Sequence, residues 1–377
     1  MYVKGGYNMI IRNAKVFIDG CFRDVDVKTE NGLITQIGIN LEGEGYDASG
    51  CYLFAGFIDA HFHGACDAYC GDSLEKMEEI ARTIPRYGTT SYIPTPIAKN
   101  DETTRERIRT IRKAKGQPGA DVLGIFLYTD YKHRSIPYYP ISIAPTKEDT
   151  LAMADGDLSD IVAVLYAPEL DPSCEWTSWL SENGVIPLIG FSEGTSEEVT
   201  NAVRAGARLT DHYPNGFPLI SHHDSSAVLQ CLLEDGLYMQ INCDCIHVVP
   251  EYIKMMLKMK GDDHLIAVSD SSPLMGKPEG EYKMGNMTVY IRDGAVRDVN
   301  GKLVTGCHTF DENMRTMKAN GFSMETIGKI FTENAAVAYR LSDRGKIEVG
   351  RRADLVVMDR DLFVQKTMIK GEWFYEK

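Results

Sequence analysis

Three features predict an α/β fold, a (β/α)8 TIM-like barrel with a small β-sandwich built from both termini. Eight apolar or β-branched runs recur through the middle of the chain, at 53–58, 89–93, 122–127, 161–165, 185–189, 207–210, 237–241 and 265–269, with helical patterns between most of them. Both ends read instead as short alternating strands. A doubly wound sheet would usually carry GxGxxG after an early strand, and the sequence has none. The predicted division is a sandwich of residues 1–52 with 345–377 and a barrel of 53–344.

Taken in order, Met1 to Tyr7 reads as a short tail. "MIIRNAKVFI", "CFRDVDVKTE" and "LITQIGI" follow as strands broken by Asn and Gly. "SLEKMEEIARTIPRYG", "DETTRERIRTIRKAKG", "TSEEVTNAVRAG" and "PEYIKMMLKMKG" are helical patterns between middle runs. "EWTSW", Glu175 to Trp179, is expected to pack a helix onto the barrel. "ADLVVMD" and "FVQKTMIKGEWF" close the chain as strands. No repeat of solenoid period and no low-complexity segment is present.

Composition narrows the function. A hydrophobic content of 44% suits a globular enzyme, and a net charge of -14 argues against nucleic-acid binding. An anionic substrate would need a local basic pocket. No apolar run has the length of a membrane span and no signal peptide precedes the first strand, so the expected location is cytoplasmic with no membrane partner. The nine cysteines read as mostly buried thiols. Cys243 and Cys245 are expected on one face of the seventh strand, as buried thiols rather than soft ligands.

The chemistry concentrates at strand ends, where a barrel carries its reactive groups. "AGFIDAHFHG", Ala55 to Gly64, ends an apolar run in His61 and His63. Residues i and i+2 of a strand point the same way, so the two imidazoles aim at one point, as a metal ion requires. His212 lies near the end of the sixth run, Asp244 and His247 after the seventh, and Asp270 at the end of the eighth. A divalent ion held by His61, His63 and a carboxylate keeps a position open for water and lowers that water's pKa towards ~7. Asp270 can take the proton and pass it to a leaving amine. Such a set hydrolyses amides, cyclic amides or amidines.

These segments resemble the amidohydrolase superfamily, and within it the N-acetylglucosamine-6-phosphate deacetylases. "AGFIDAHFHG" and the ending "TENAAVAYRLSDRGKIEVGRRADLVVMD" are superfamily-wide signals. "DHYPNG", "CDCIHV", "AVSDSS" and "MGKPEGEYKMG" are closer to the deacetylases. The resemblance implies metal ligation by His61 and His63, with His212 and Asp270 as further candidates, and Asp270 as acid/base. It implies substrate contacts at Asn215, with Gly216 beside it, and at His247. It also implies a homodimer, a small N-acyl amino sugar as substrate, and a divalent metal, zinc first and iron second.

Departures from the family pattern change the site. Tyr128 in "FLYTD" stands where the family has a ligating Glu, and Phe191 in "GFSEG" where it has a ligating His. "HDSS", beginning at His223, replaces a segment whose arginine helps to hold the substrate phosphate. Phe191 cannot bind a metal, and Tyr128 could do so only as a phenolate. The expectation is one metal rather than two, and a substrate other than a sugar phosphate. Lys132, His133 and Arg134 in "DYKHRS" are the alternative grip on an anion. The competing readings are a catalytically impaired binder of a sugar-like ligand and a cyclic-amide hydrolase of the same superfamily.

Overall fold

The computed structural model describes residues 8–132 and 142–377. His133 and Arg134, invoked above as an anion grip, lie outside the described residues.

The alternating ends of the chain form two sheets. One has the order Leu33–Gly38, Asp26–Glu30, Met9–Arg12, Gly45–Asp47. The other joins the termini, in the order Glu372–Glu376, Val364–Ile369, Leu355–Met358, Tyr52–Ala55, Lys15–Ile18, Cys21–Asp24. Leu355 stands opposite Ala55 and Met358 opposite Tyr52, antiparallel. Ile11, Val27 and Ile34 from the first sheet and Val16, Leu53 and Leu355 from the second belong to one buried apolar cluster.

The run 53–58 is two strands rather than the single one expected. Tyr52–Ala55 pairs within the terminal sheet, whereas Phe57–Phe62 begins the parallel system. The change falls at Gly56. Its N–H donates to the Asp354 carbonyl at 2.8 Å, while the Phe57 N–H donates to Gly88 at 3.1 Å.

Phe57–Phe62 pairs parallel with Thr89–Pro94, which pairs with Asp121–Val122. A seven-stranded sheet follows, in the order Ile97–Ala98, Ile125–Thr129, Ile161–Tyr166, Ile186–Ile189, Leu209–Thr210, Tyr238–Asn242, Leu265–Val268. Each pair within it is parallel. A parallel bridge from Phe62 to Ser271 returns the end of the last strand to the first. The sheet is therefore a curled half-barrel, compatible with a TIM-like barrel.

Both faces of this sheet are buried, as apolar runs without alternation require. Phe126, Ala163, Leu165 and Leu188 fall in one cluster, and their strand neighbours Ile125, Leu127, Val164 and Ile189 in another. The helices cover the second set. Glu102–Ala114 begins at Asp101, whose side chain accepts the Thr104 N–H at 2.8 Å. Ser196–Arg204 begins in a capping box of Thr195 and Glu198. Glu175–Glu182 contains the buried Trp176, whose indole donates to the Thr150 hydroxyl at 2.9 Å.

Two further features differ from the sequence reading. The strand Tyr238–Asn242 ends before Cys243, and Cys245 sits in a turn at φ 58°, so the two cysteines do not share a strand face. All nine cysteines are free thiols. Beyond the last parallel strand, Gly280–Met284, Met287–Arg292, Ala295–Arg297 and Leu303–Thr305 form an antiparallel sheet that the sequence reading missed. Its signals were Gly-Asn at 285–286 and Asp-Gly at 293–294, both two-residue hairpin turns. No helix among the described residues is long and apolar enough to cross a membrane.

Candidate metal centre and cavity

The first and last parallel strands bring three donors together. His61, His63 and Asp270 place one ligand atom each within 4.8 Å of one another. The imidazole Nε2 atoms of His61 and His63 are 3.0 Å apart. Asp270 Oδ1 lies 3.4 Å from the first and 3.3 Å from the second.

The outer nitrogens decide what these atoms can do. His63 Nδ1 is 2.6 Å from the Thr95 carbonyl, which can only accept, so Nδ1 carries the proton and Nε2 is left with a lone pair. His61 Nδ1 faces two acceptors, Gln240 Oε1 at 3.2 Å and Asp211 Oδ1 at 3.1 Å. The Gln240 amide nitrogen is oriented by donating to the Tyr339 hydroxyl at 2.8 Å. Two lone pairs and a carboxylate oxygen thus converge, which requires a cation between them. The donor set and its outer supports fit a divalent ion.

Electrostatics agree with the geometry. Burial works against charge on His61, yet Asp211 and Asp270 raise its pKa to about 9, so a proton fills the cation's role. Burial opposes ionisation of Asp270, but His61, His63 and His212 hold its carboxyl far below the usual carboxylate range. Asp59 accepts the Ser269 N–H at 3.1 Å and ties the first strand to the last beside Asp270. Burial raises its pKa to about 6.

The backbone holds Asp270 in place. Its φ is 47°, a left-handed conformation that aspartate tolerates better than most residues. Its N–H donates to the His61 carbonyl at 3.1 Å, and its own carbonyl accepts from Gly306 N–H at 3.1 Å and the Thr305 hydroxyl at 2.8 Å. A Cβ on Gly306 would stand 2.4 Å from the Ser269 carbonyl oxygen, so the approach requires glycine.

His212 lies beside the three donors without joining them. Its ring stacks on His61 at 5.4 Å, and its Nε2 is 3.3 Å from the Tyr128 hydroxyl and 3.2 Å from Asp211 Oδ2. Burial, only partly opposed by Asp211, lowers its pKa. Tyr128 and Phe191 stand edge to face at 5.9 Å and wall this side of the centre.

A cavity of about 290 Å³ opens over the donors. His63, His212, Asn215, Gly216, His247 and Asp270 line it, with Tyr128, Phe191, Tyr69, Ile97, Met284, Met287, Leu303 and Val304 as its apolar part. Among the described residues no lysine or arginine lines it. Asn215 is fixed by donating its side-chain N–H to the His212 carbonyl at 3.0 Å. His247 Nδ1 pairs with Asp244 Oδ2 at 2.5 Å, and Asp244 also accepts the N–H groups of Ile246 and His247. Burial disfavours the imidazolium, but Asp244 raises the His247 pKa, and the buried Nε2 makes no hydrogen bond among the described residues. His223 is placed elsewhere, exposed, with its ring 3.8 Å from that of His222 and tilted 41° to it, and does not line the cavity. Sequence reasoning did not single out Asp211, Gln240 or Thr95. Only Asp211 left a signal, standing next to His212 at a strand end.

The comparisons with known proteins agree in direction. The amidohydrolase family matches residues 52–374. An N-acetylglucosamine-6-phosphate deacetylase of Lysinibacillus sphaericus is 28% identical over 97% of both chains. The enzyme of that name from Bacillus subtilis is 27% identical over 85% of this chain and 83% of its own. The crystal structure of N-acetylglucosamine-6-phosphate deacetylase from Pasteurella multocida superposes with a TM-score of 0.88 at 25% identity, over 97% of this chain and 99% of its own. With the match running from the start of the strand Tyr52–Ala55 almost to the C-terminus, the chain belongs to the amidohydrolase family.

Proposed function

We propose that the protein is a metal-dependent amidohydrolase that cleaves the N-acyl bond of an amino sugar or a related compound. One observation carries this reading: two imidazole lone pairs and the Asp270 carboxylate converge on one point, with both outer imidazole nitrogens tied to acceptors. His61, His63 and Asp270 would hold one divalent ion, with His212 assisting. Two imidazoles and a carboxylate suit zinc first and iron second. A bound ion supplies Lewis acidity and an acidic water.

The chain's own residues do the rest. Asp270, ionised and at the cavity floor, accepts a proton from the attacking water and returns it to the leaving amine. His247, its Nδ1 proton directed at Asp244, turns Nε2 to the cavity to hold a substrate oxygen or hydroxyl. Asn215 and Gly216 border the same space. In this reading the half-barrel closes as a (β/α)8 unit of residues 53–344. Residues 1–52 and 345–377 form a sandwich beside it. The enzyme works as a cytoplasmic homodimer.

The cavity argues about the substrate as well. The curated relatives carry the name of a sugar-phosphate deacetylase. Here no lysine or arginine among the described residues lines the cavity, and His223 is exposed and not part of its lining. A neutral imidazole would in any case lack the bidentate charged clamp of a guanidinium. N-acetylglucosamine 6-phosphate is therefore a poor substrate, and a less charged N-acyl compound is preferred. Steady-state kinetics on phosphorylated and unphosphorylated N-acetyl amino sugars, beside metal analysis of protein purified without chelator, test both halves. One equivalent of zinc or iron with turnover of the uncharged compound is expected. A kcat/KM of ~10⁴ M⁻¹s⁻¹ or more on the phosphorylated sugar overturns the substrate assignment. A folded protein that holds no metal and turns over nothing favours the impaired binder, for which the aromatic pair Tyr128 and Phe191 is the supporting feature.

A further inference from the structure

Behind the cavity wall lies a buried cation that the reaction above does not use. Lys132 is 3% exposed. Its ammonium stands 3.9 Å from the centroid of the Tyr128 ring and 4.5 Å from that of Phe191. Tyr128 and Phe191 line the cavity and Lys132 is not among its lining residues.

A buried ammonium is costly unless its surroundings compensate it. Two ring faces supply part of that compensation. The carboxylates of Asp211 and Asp130 supply more. Burial and the charge of Lys99 act the other way and push the amine down to about 8, so it is still mainly a cation near neutral pH. Asp211 is the same carboxylate that stands 3.1 Å from His61 Nδ1 and 3.2 Å from His212 Nε2. The field of Lys132 also acts on His212. The Tyr128 ring that carries Lys132 stands 5.6 Å from the ring of His61 and 5.0 Å from that of His63, so the lysine's charge lies close to the metal position.

We propose that Lys132 is the resident second cation of this centre, held against the rings of Tyr128 and Phe191, and that its charge weakens the hold of His61, His63 and Asp270 on their divalent ion. The inference rests on the one-metal reading above. Lys132 is a positioning residue in this account. A fixed positive charge in a water-poor site repels a divalent ion, and the same field makes the ion's water more acidic, so weaker metal binding accompanies a stronger Lewis acid.

The test is a zinc titration of the metal-free, full-length protein against a competing chelator, read as stoichiometry and affinity rather than activity. Wild type is expected to take up one equivalent. Lys132→Met is expected to bind that equivalent at least about tenfold more tightly, because a like charge has been removed. Lys132→Arg, which keeps the charge, stays near wild type. Thermal unfolding by circular dichroism checks the fold, and Lys132→Gln replaces the Met variant if that one does not fold. A purely structural role predicts the opposite sign, since a loosened wall weakens binding. Unchanged or weaker binding in the neutral variant overturns the inference, as does equal tightening in Lys132→Arg. A wild type that binds no zinc removes the one-metal reading itself, an outcome distinct from one bound equivalent that ignores Lys132.

Discussion

Two clusters of charge sit on the parallel strands, one partly exposed and one buried, and they are built on opposite plans. One surrounds Asp121, which starts a short strand beside Thr89–Pro94. Asp121 pairs with Arg352, with Arg344 at 3.1 Å and with Lys370 at 3.3 Å. Arg344 also reaches Asp343 at 2.7 Å, and Arg352 reaches Asp354 at 2.8 Å. Three carboxylates meet three cations, and the cluster closes on itself. The other cluster, at Asp270, leaves two imidazole lone pairs and a carboxylate oxygen facing one point. The difference separates a joint from a site. The first cluster links residues of the C-terminal end to a strand of the parallel system, and nothing need be added to balance it. The second is balanced only by a further cation, and its supports at Thr95, Gln240 and Asp211 hold the donors ready for one.

The same Asp-to-Asn change should therefore give different signatures in the two places. The largest effect is expected for Asp270→Asn, which keeps the size and removes the proton acceptor. Activity on the best substrate should fall by about 10²–10⁴ in kcat while the fold is kept. Near-normal turnover would place the proton transfer elsewhere. Asp121→Asn comes next. It takes the shared anion from the partly buried Arg344 and Arg352, which keep Asp343 and Asp354, so a loss of about 1–3 kcal/mol of stability is expected. Denaturant unfolding measures this, and metal content should not change. A variant as stable as wild type would mean that the joint is no joint.

Asp211→Asn sharpens the contrast from the metal side. It removes the anion that orients His61 and should weaken zinc binding by about 10–100-fold, the usual effect of losing a support behind a ligand. Affinity equal to wild type would leave Gln240 as the sufficient support. The smallest effect concerns pH. The Lys132 amine is pushed down to about 8 in the folded chain, against an ordinary value of 10.5, under burial, Asp211, Asp130 and Lys99. Below pH 8 both states carry the proton and the folded state bears the full cost of the buried charge. Between pH 8 and 10.5 the unfolded chain holds more protons than the folded one, so stability rises with pH. Metal-free wild type should gain on Lys132→Met across that window. A flat difference between the two would show that the amine is not strained by its burial.

Much of this is legible in the sequence. The spacing of His61 and His63 made them neighbours because a strand repeats every two residues. Asp270 met them because strand ends of a parallel sheet share one rim. The helices followed from their apolar period, and two of them start at the caps Asp101 and Thr195. The antiparallel sheet from Gly280 to Thr305 was missed although its Asp-Gly turn was in view, because its strands are short and of mixed polarity. The run 53–58 was read as one strand because apolar content does not reveal which neighbour a strand will pair with.

Sequence by itself determined the residue types at the strand ends, His61, His63 and Asp270 among them, with Tyr128 and Phe191 at two others. These are local properties, set by period and composition. Only the tertiary structure decided which imidazole nitrogen carries the proton, because that depends on Thr95, Gln240 and Asp211, far from His61 and His63 along the chain. It alone decided that His223 is exposed outside the cavity lining while Lys132 is buried against two of the rings that line it. A side chain's charge and donors are written in the sequence, but their worth depends on the dielectric and the partners that folding places around them.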